Sequence, residues 1–425
     1  MSKVEVRSFL AGVLLATASI APLGAQGDAS LSARPHLAPG ADTNSGQANY
    51  EYGIKMVNTD PEEAARAFYW ASRIDPSSGD ALYALRAAKV LAMNADEFTA
   101  YMEWQGEKRT PQQLALDSLV YRAYLIDPFT FGNIDAAIMR RGIEASVRKT
   151  RPRIDAGTLA FAVAVEMQEF GNRAWFAYTQ GKFDDALRMY AEQLKAKPLP
   201  LMKKKDAERA WRSYYDALNQ IHVERGRIFY MVDSLDSARV EMTQAIEGMR
   251  ALDEARPVLL YQSKAVYLQA LGMIHERAHH PELAREAYGA ALQEDLSSFA
   301  AHAYLARLQL AQGDTTGALS EMDLAIQLQP ADAALRYRYA TILVQVRRDG
   351  DAAVQLRKAI ALDPWYGAPH LLLARIADVE QYTDDAIAEY RAFLAVAAKT
   401  DLQLLVAKER LSKLTSTVAS SQAKQ

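Results

Sequence analysis

A 34-residue period over residues 265–398 limits the folds that this chain can adopt. Alanine recurs at that interval as Ala284, Ala318, Ala352 and Ala386. A large side chain follows each alanine by four residues, as Tyr288, Met322, Leu356 and Tyr390. A large residue also precedes each alanine by thirteen, as Leu271, Leu305, Tyr339 and Leu373. Small and large residues in fixed places over such a period indicate stacked units, each of which buries its apolar face against the next.

Each unit is predicted to be a pair of helices joined by a tight turn, such as Gln312-Gly313-Asp314. Pro330 and Pro364 occupy the same place in two successive units. Proline cannot continue a helix and disfavours helical geometry in the residue before it, so each of the two should end a second helix. The sequence therefore predicts an all-α protein with four regular units over 265–398.

The order of these residues resembles the tetratricopeptide repeat. Leucine with a small residue comes early in the unit, and alanine, an aromatic residue, a second alanine and proline come later. The resemblance is strong over 265–398, fair over 158–256 and 47–76, and weak over 80–157. It implies a right-handed α-solenoid whose concave groove binds protein or peptide partners. It also implies a scaffold or adaptor that is not an enzyme and has no cofactor.

In that family, fixed positions of the first helix of each unit line the groove. The resemblance carries these positions onto Arg227, Tyr230, Met273, Arg277, Arg307, Tyr337 and Arg375. Arg227, Arg307 and Arg375 are equivalent to one another, and arginine on a concave surface suits carboxylate recognition. The alternative is that these long cations only solvate an exposed helix face. The Lys and Asn set with which chaperone-binding members clamp a C-terminal carboxylate is absent from these positions.

Helix signals and composition assign the rest of the chain. We expect a flexible lead-in over 26–45, degenerate repeat-like helices over 46–100, an irregular helical section over 101–157, repeat-like units with long helices over 158–256, a capping helix over 399–416 and a disordered tail over 417–425. Asp60-Pro61 is a typical helix start, with Asp as the cap and Pro in the first helical position. Ala186 and Ala238 are 52 residues apart, so those units should carry longer helices or insertions.

Residues 1–25 have the pattern of a secretory signal peptide. Lys3 and Arg7 precede an apolar run from Phe9 to Ile20, and Ala25 is a small residue suited to cleavage. The run is shorter than the ~20 residues that a membrane-spanning helix needs. We expect a cleaved leader and a periplasmic or secreted protein, with a retained anchor as the alternative. The sequence contains no cysteine, which excludes disulfides, thiolate metal sites and a lipid-modified cysteine.

One motif favours a different class of protein. His275-Glu276-Arg277-Ala278-His279 has the spacing with which zinc peptidases hold a metal and activate water. Its place in the repeat argues against a metal site, because His275 takes an inward-packing position and His279 falls at the end of a helix. A zinc metallopeptidase is therefore the alternative function. A structural subunit of an envelope or secretion assembly, docked through residues 80–157, is a third interpretation.

The charge of the chain gives no indication of nucleic-acid binding. Its formal net charge is −3, and it has no glycine-rich phosphate loop. Two local basic clusters, at Arg140–Arg153 and Lys203–Lys205, are interpreted first as solvated surface. Contact with an anionic membrane surface or an acidic partner is the alternative, and we do not predict it from the sequence.

Overall fold

The predicted all-α fold is confirmed in a computed structural model, which describes residues 31–102, 110–130, 132, 134–169, 173–195, 204–251 and 263–422. Within these ranges the regular elements are twenty helices, and none is a strand. The predicted signal peptide, the start of the lead-in and the last three residues lie outside the described residues. No described helix has the length and apolar character needed to cross a membrane.

Nine helices precede residue 200. They are α1 (Gly46–Met56), α2 (Pro61–Ile74), α3 (Gly79–Ala92), α4 (Ala95–Met102), α5 (Pro111–Ile126), α6 (Asp135–Thr150), α7 (Ala156–Glu169), α8 (Arg173–Thr179) and α9 (Phe183–Leu194). Asp60 caps α2 by accepting a hydrogen bond from the Glu63 N–H. Thr110 starts α5 with a full capping box to Gln113. These side chains satisfy backbone N–H groups that have no partner within the helix.

The eleven helices that follow form successive antiparallel pairs and a final single helix. They are α10 (Lys204–Met231), α11 (Leu235–Ala251), α12 (Lys264–Arg277), α13 (Pro281–Glu294), α14 (Phe299–Ala311), α15 (Thr315–Leu328), α16 (Ala333–Gln345), α17 (Asp349–Leu362), α18 (Gly367–Val379), α19 (Thr383–Val396) and α20 (Leu404–Gln422). The pairs from α12 to α19 are the regular units, and their first helices are α12, α14, α16 and α18.

The turn inside each regular unit places one residue in the left-handed backbone region. These residues are His279, Gly313, Arg347 and Gln381, with φ between 60° and 85°. They are spaced by 34 residues, so the backbone repeats with the same period as the sequence. Glycine adopts this conformation without the steric cost that a side chain brings.

The two helices of a unit approach closely because a small residue faces a large ring. A Cβ atom added to Gly272 would lie 2.4 Å from the ring of Tyr288, whose side chain is fully buried. We call this contact of a small residue with a ring the interlock. The helix pair α1 and α2 repeats it, since a Cβ on Gly53 would lie 2.6 Å from the ring of Phe68. The degenerate N-terminal helices therefore pack by the same rule as the regular units.

Replacing Gly272 with alanine should destabilise the protein by about 1–3 kcal/mol, because the new methyl group overpacks the contact with Tyr288. Gly289 offers a matched control in the next helix, since a Cβ there would meet nothing within 4 Å. Gly289→Ala should leave stability unchanged or raise it by up to about 1 kcal/mol. Urea unfolding followed by circular dichroism measures both changes. Equal effects of the two substitutions would contradict the interlock.

Candidate partner-binding groove

The first helices of the units carry the residues predicted to bind a partner. We call the surface formed by these residues of α10, α12, α14, α16 and α18 the inner face. The structure divides the predicted set into three groups. One group lies beneath another part of the same chain, a second remains exposed, and a third is partly buried.

The covering part consists of the last two residues of α5 and the four residues that follow, residues 125–130, which we call the inner segment. Three of its backbone carbonyls accept hydrogen bonds from three different units. Gln269 Nε2 donates to the Leu125 carbonyl at 2.7 Å, and the Tyr304 hydroxyl donates to the Ile126 carbonyl at 2.8 Å. Arg227 Nε donates to the Pro128 carbonyl at 3.2 Å.

An aromatic contact completes the docking of the inner segment. Phe129 stacks on Tyr230 with ring centroids 3.6 Å apart and an angle of 11° between the planes. Leu125, Ile126, Phe129 and Thr130 are all buried. This part of the inner face is therefore filled by the protein itself, and Tyr230 serves an internal contact.

Polar contacts extend the docking along the turns between consecutive units. The Tyr121 hydroxyl donates to Asp295 at 2.9 Å. Arg122 pairs with Asp332 at 2.9 Å in a largely buried salt bridge. One helix, α5, thus contacts two successive turns.

The N-terminal units continue this contact toward the end of the chain. Arg73 of α2 lies 2.9 Å from Asp363. Trp70 packs edge-on against Trp365, with centroids 5.2 Å apart, and the Arg34 guanidinium lies over both rings. The Asn44 side-chain amide donates to the Ala395 carbonyl at 3.0 Å. The described residues of 31–102 and 110–130 therefore contact the C-terminal repeats as far as the last regular unit.

Arg227 does not share the environment of its equivalents Arg307 and Arg375. Its side chain is 6% exposed, and it faces Tyr124 and Glu224 in the interior. Desolvation alone would lower the pKa of Arg227, but these neighbours raise it well above the usual value. Arg227 thus stays charged and holds the inner segment, so it lies inside the protein and not on the predicted partner-facing surface.

The exposed group keeps its arginines at the C-terminal ends of the first helices. Arg277 pairs with Asp233 at 2.8 Å, and Arg307 pairs with Glu276 of the preceding unit at 2.7 Å. Arg375 donates to Gln403 at 2.5 Å. We call these three arginines the open strip.

The two remaining predicted residues are partly buried. Tyr337 packs edge-on against Tyr366, with ring centroids 5.4 Å apart, and Met273 packs against the main apolar core. They border the covered surface and contribute little to the open strip. Exposed apolar side chains instead lie near Arg375, where Val379 is 77% and Leu402 is 88% exposed.

The histidines of the peptidase-like motif lie in different environments. His275 is buried, and desolvation, aided by Arg239 and His280, lowers its pKa. His279 is exposed in the left-handed turn position, with φ 60°. Glu276 accepts hydrogen bonds from the Tyr288 hydroxyl and from Arg307. Among the described residues, no group of three His, Asp or Glu side chains is arranged to hold a metal ion.

The fold defined by these helix pairs is a stacked helical repeat of the tetratricopeptide type. Similar solved structures include the C-terminal part of a tetratricopeptide-repeat protein from Cytophaga hutchinsonii, with TM-score 0.41, 16% identity, and coverage of 53% of this chain and 78% of that one. Pseudomonas aeruginosa PilF has a TM-score of 0.40 and 18% identity, and the match covers 49% of this chain and 89% of PilF. Yeast Tom70 has a TM-score of 0.41 and 13% identity, and the match covers 88% of this chain and 90% of Tom70. No family model matches the chain, and no curated protein matches its sequence.

Removing Arg122 tests the docking of the N-terminal units. Arg122→Ala leaves the carboxylate of Asp332, whose side chain is only 3% exposed, without its cation. We expect a loss of about 3 kcal/mol in the free energy of unfolding. Arg188 forms an exposed pair with Asp185, so Arg188→Ala should cost less than about 0.5 kcal/mol. Denaturant unfolding measures the free-energy change of both variants. An Arg122→Ala variant as stable as the parent would contradict the docking of α5 on the repeats.

A pH-dependent stability difference should come from Asp363. Desolvation raises the pKa of Asp363 to about 7, although Arg73 opposes the shift. The folded protein then binds a proton that the unfolded chain has already released, so this group destabilises the fold as the pH rises from about 4 to about 7. Asp363→Asn removes the effect. Relative to the parent, the variant should gain stability between about pH 5 and about pH 8 in thermal melts, and a constant difference would refute the shift.

Proposed function

We propose that this protein is an exported scaffold that binds a protein partner through the open strip. The class of activity is supported by the stacked-repeat fold, and export is inferred from the N-terminal leader pattern. The observation that carries the proposal is the exposure of Arg277, Arg307 and Arg375 on a surface whose other part is covered by the inner segment.

The open strip is suited to recognising carboxylates because its arginines are already oriented. Arg307 is held by Glu276 and Arg277 by Asp233, yet both side chains remain about half exposed. Arg277 also donates to the Tyr230 carbonyl at 3.1 Å. A guanidinium has five N–H donors in a fixed plane, so one or two acceptors within the protein leave donors for a partner. Ordering before binding reduces the conformational entropy lost when the partner binds.

The apolar residues near Arg375 define what else the partner should offer. Val379, Leu402 and Val406 are more than half exposed. Asp378 and Arg410, which form a two-pronged salt bridge, border this region. A surface that combines apolar contact with charged groups at its rim has the composition of protein interfaces. The proposed partner therefore presents an acidic segment next to an apolar one.

Affinity purification from the native envelope tests the proposal. The variant Arg277→Ala/Arg307→Ala/Arg375→Ala should recover its main partner at least about tenfold less efficiently than the parent. A matched control, Arg285→Ala/Arg357→Ala/Arg391→Ala, removes three exposed arginines from the second helices.

Quantitative mass spectrometry of the bound proteins compares the two variants with the parent. The control should recover the partner normally. Equal recovery by the parent and both variants would overturn the open strip as the binding surface. Circular dichroism of each variant establishes that the fold is retained.

A further inference from the structure

Helices α6 and α7 form a hairpin that is anchored to the rest of the protein near one end. Arg141, in the first half of α6, donates to the carbonyls of Val90, Leu91 and Met93 at the end of α3. Its guanidinium also lies 4.4 Å from the ring centroid of Phe98. We call residues 135–169 the basic hairpin.

The second half of α6 packs mainly against α7. Leu159 and Val163 of α7 are buried and pack with Ile143 and Val147 of α6. Phe176 of α8 packs against the same two residues. Leu159 and Val163 lie on one face of α7, and the described side chains of Phe161 and Val165 lie on the opposite face.

That opposite face is apolar and exposed. Phe161 is 71% exposed and Val165 is 39% exposed. Residues four apart lie on the same face of a helix, so these two side chains are neighbours, and exposed Gly157 lies one turn before them. Residues 156–165 contain no charged side chain. A large aromatic ring on an uncharged, exposed helix face suggests that another surface covers it.

The loop that closes the hairpin is strongly basic. Arg148, Lys149, Arg151 and Arg153 are all exposed. No acidic residue occurs between residues 145 and 154, whereas the whole chain carries a formal charge of −3. The hairpin therefore presents a local positive region on a protein of negative net charge. Such a region attracts anionic surfaces at distances of up to about 10 Å at ordinary ionic strength.

We infer that the basic hairpin binds the surface of an anionic lipid bilayer. The four cations of the loop contact lipid headgroups, and Phe161 and Val165 enter the boundary between headgroups and acyl chains. Phe161 lies five residues into α7, about 8 Å along the helix from the basic loop, so a hairpin that lies along the bilayer surface brings the cations and the ring to the same interface. Peripheral helices in that orientation bury their apolar face by about 5–10 Å. An acidic polypeptide would neutralise the cations but gives no layered apolar zone for Phe161.

Co-sedimentation of the mature protein with lipid vesicles tests the inference. Vesicles in which about a third of the lipid is phosphatidylglycerol should bind the protein, more weakly as salt is added, and pure phosphatidylcholine vesicles should not. Replacing Arg148, Lys149, Arg151 and Arg153 with alanine should weaken binding by at least about tenfold, since each cation contributes up to about fivefold. Phe161→Ser should weaken binding to the same vesicles several-fold at unchanged charge.

The control variant removes as many charges from another surface. Arg285, Arg357, Lys358 and Arg391 are exposed on the second helices, and their replacement with alanine should leave vesicle binding intact. Because the chain has no cysteine, Val165→Cys carries a single environment-sensitive fluorophore. Its emission should shift to the blue with anionic vesicles only. Unchanged melting of each variant separates lost binding from lost folding.

Three results would overturn the inference. The first is no binding to anionic vesicles, and the second is equal binding by the parent and the loop variant. The third is a protein that does not bind the vesicles but binds soluble polyglutamate, and loses this binding when Arg148, Lys149, Arg151 and Arg153 are replaced. That last result would identify an acidic protein as the partner of the hairpin.

Discussion

The arrangement of the N-terminal half depends on the hydrogen bonds that the inner segment makes with the inner face. A segment that leaves helical geometry and enters the interior brings backbone carbonyls that have lost their helical partners, and leaving such groups unpaired is costly. Gln269, Tyr304 and Arg227 supply the missing donors from three separate units. The repeats therefore use part of their inner face to fold their own chain, and residues 31–102 and 110–130 are positioned along them as a consequence.

This arrangement separates the surfaces that remain for partners. The open strip lies at the C-terminal ends of the first helices, whereas the basic hairpin is anchored to the N-terminal units through Arg141. A protein with both proposed surfaces would hold a partner close to a lipid bilayer. Within the motif His275–His279, Glu276 has a structural role, because its carboxylate pairs with Arg307 of the next unit.

Local patterns predicted much of the fold, whereas long-range contacts could not be predicted. Capping and proline rules predict the helix start at Asp60-Pro61 and the helix ends before Pro330 and Pro364, and the structure has all three. Tyr121 and Asp295 are 174 residues apart and follow no period, so nothing in the sequence pairs them. The register also made Arg227 equivalent to Arg307. The two differ because the inner segment covers only the first of these positions.

The docking of the N-terminal helices on the C-terminal repeats is tested most directly by cross-linking Asn44, near the start of the described chain, to Ala395 in the last regular unit. Asn44 and Ala395 are joined by a 3.0 Å hydrogen bond in a chain without cysteine, so Asn44→Cys/Ala395→Cys places one thiol on each side. A short bifunctional thiol reagent should join them within one molecule in native buffer and fail to do so in denaturant, as read by peptide mass spectrometry. A native protein that gives no intramolecular cross-link would contradict the docked arrangement.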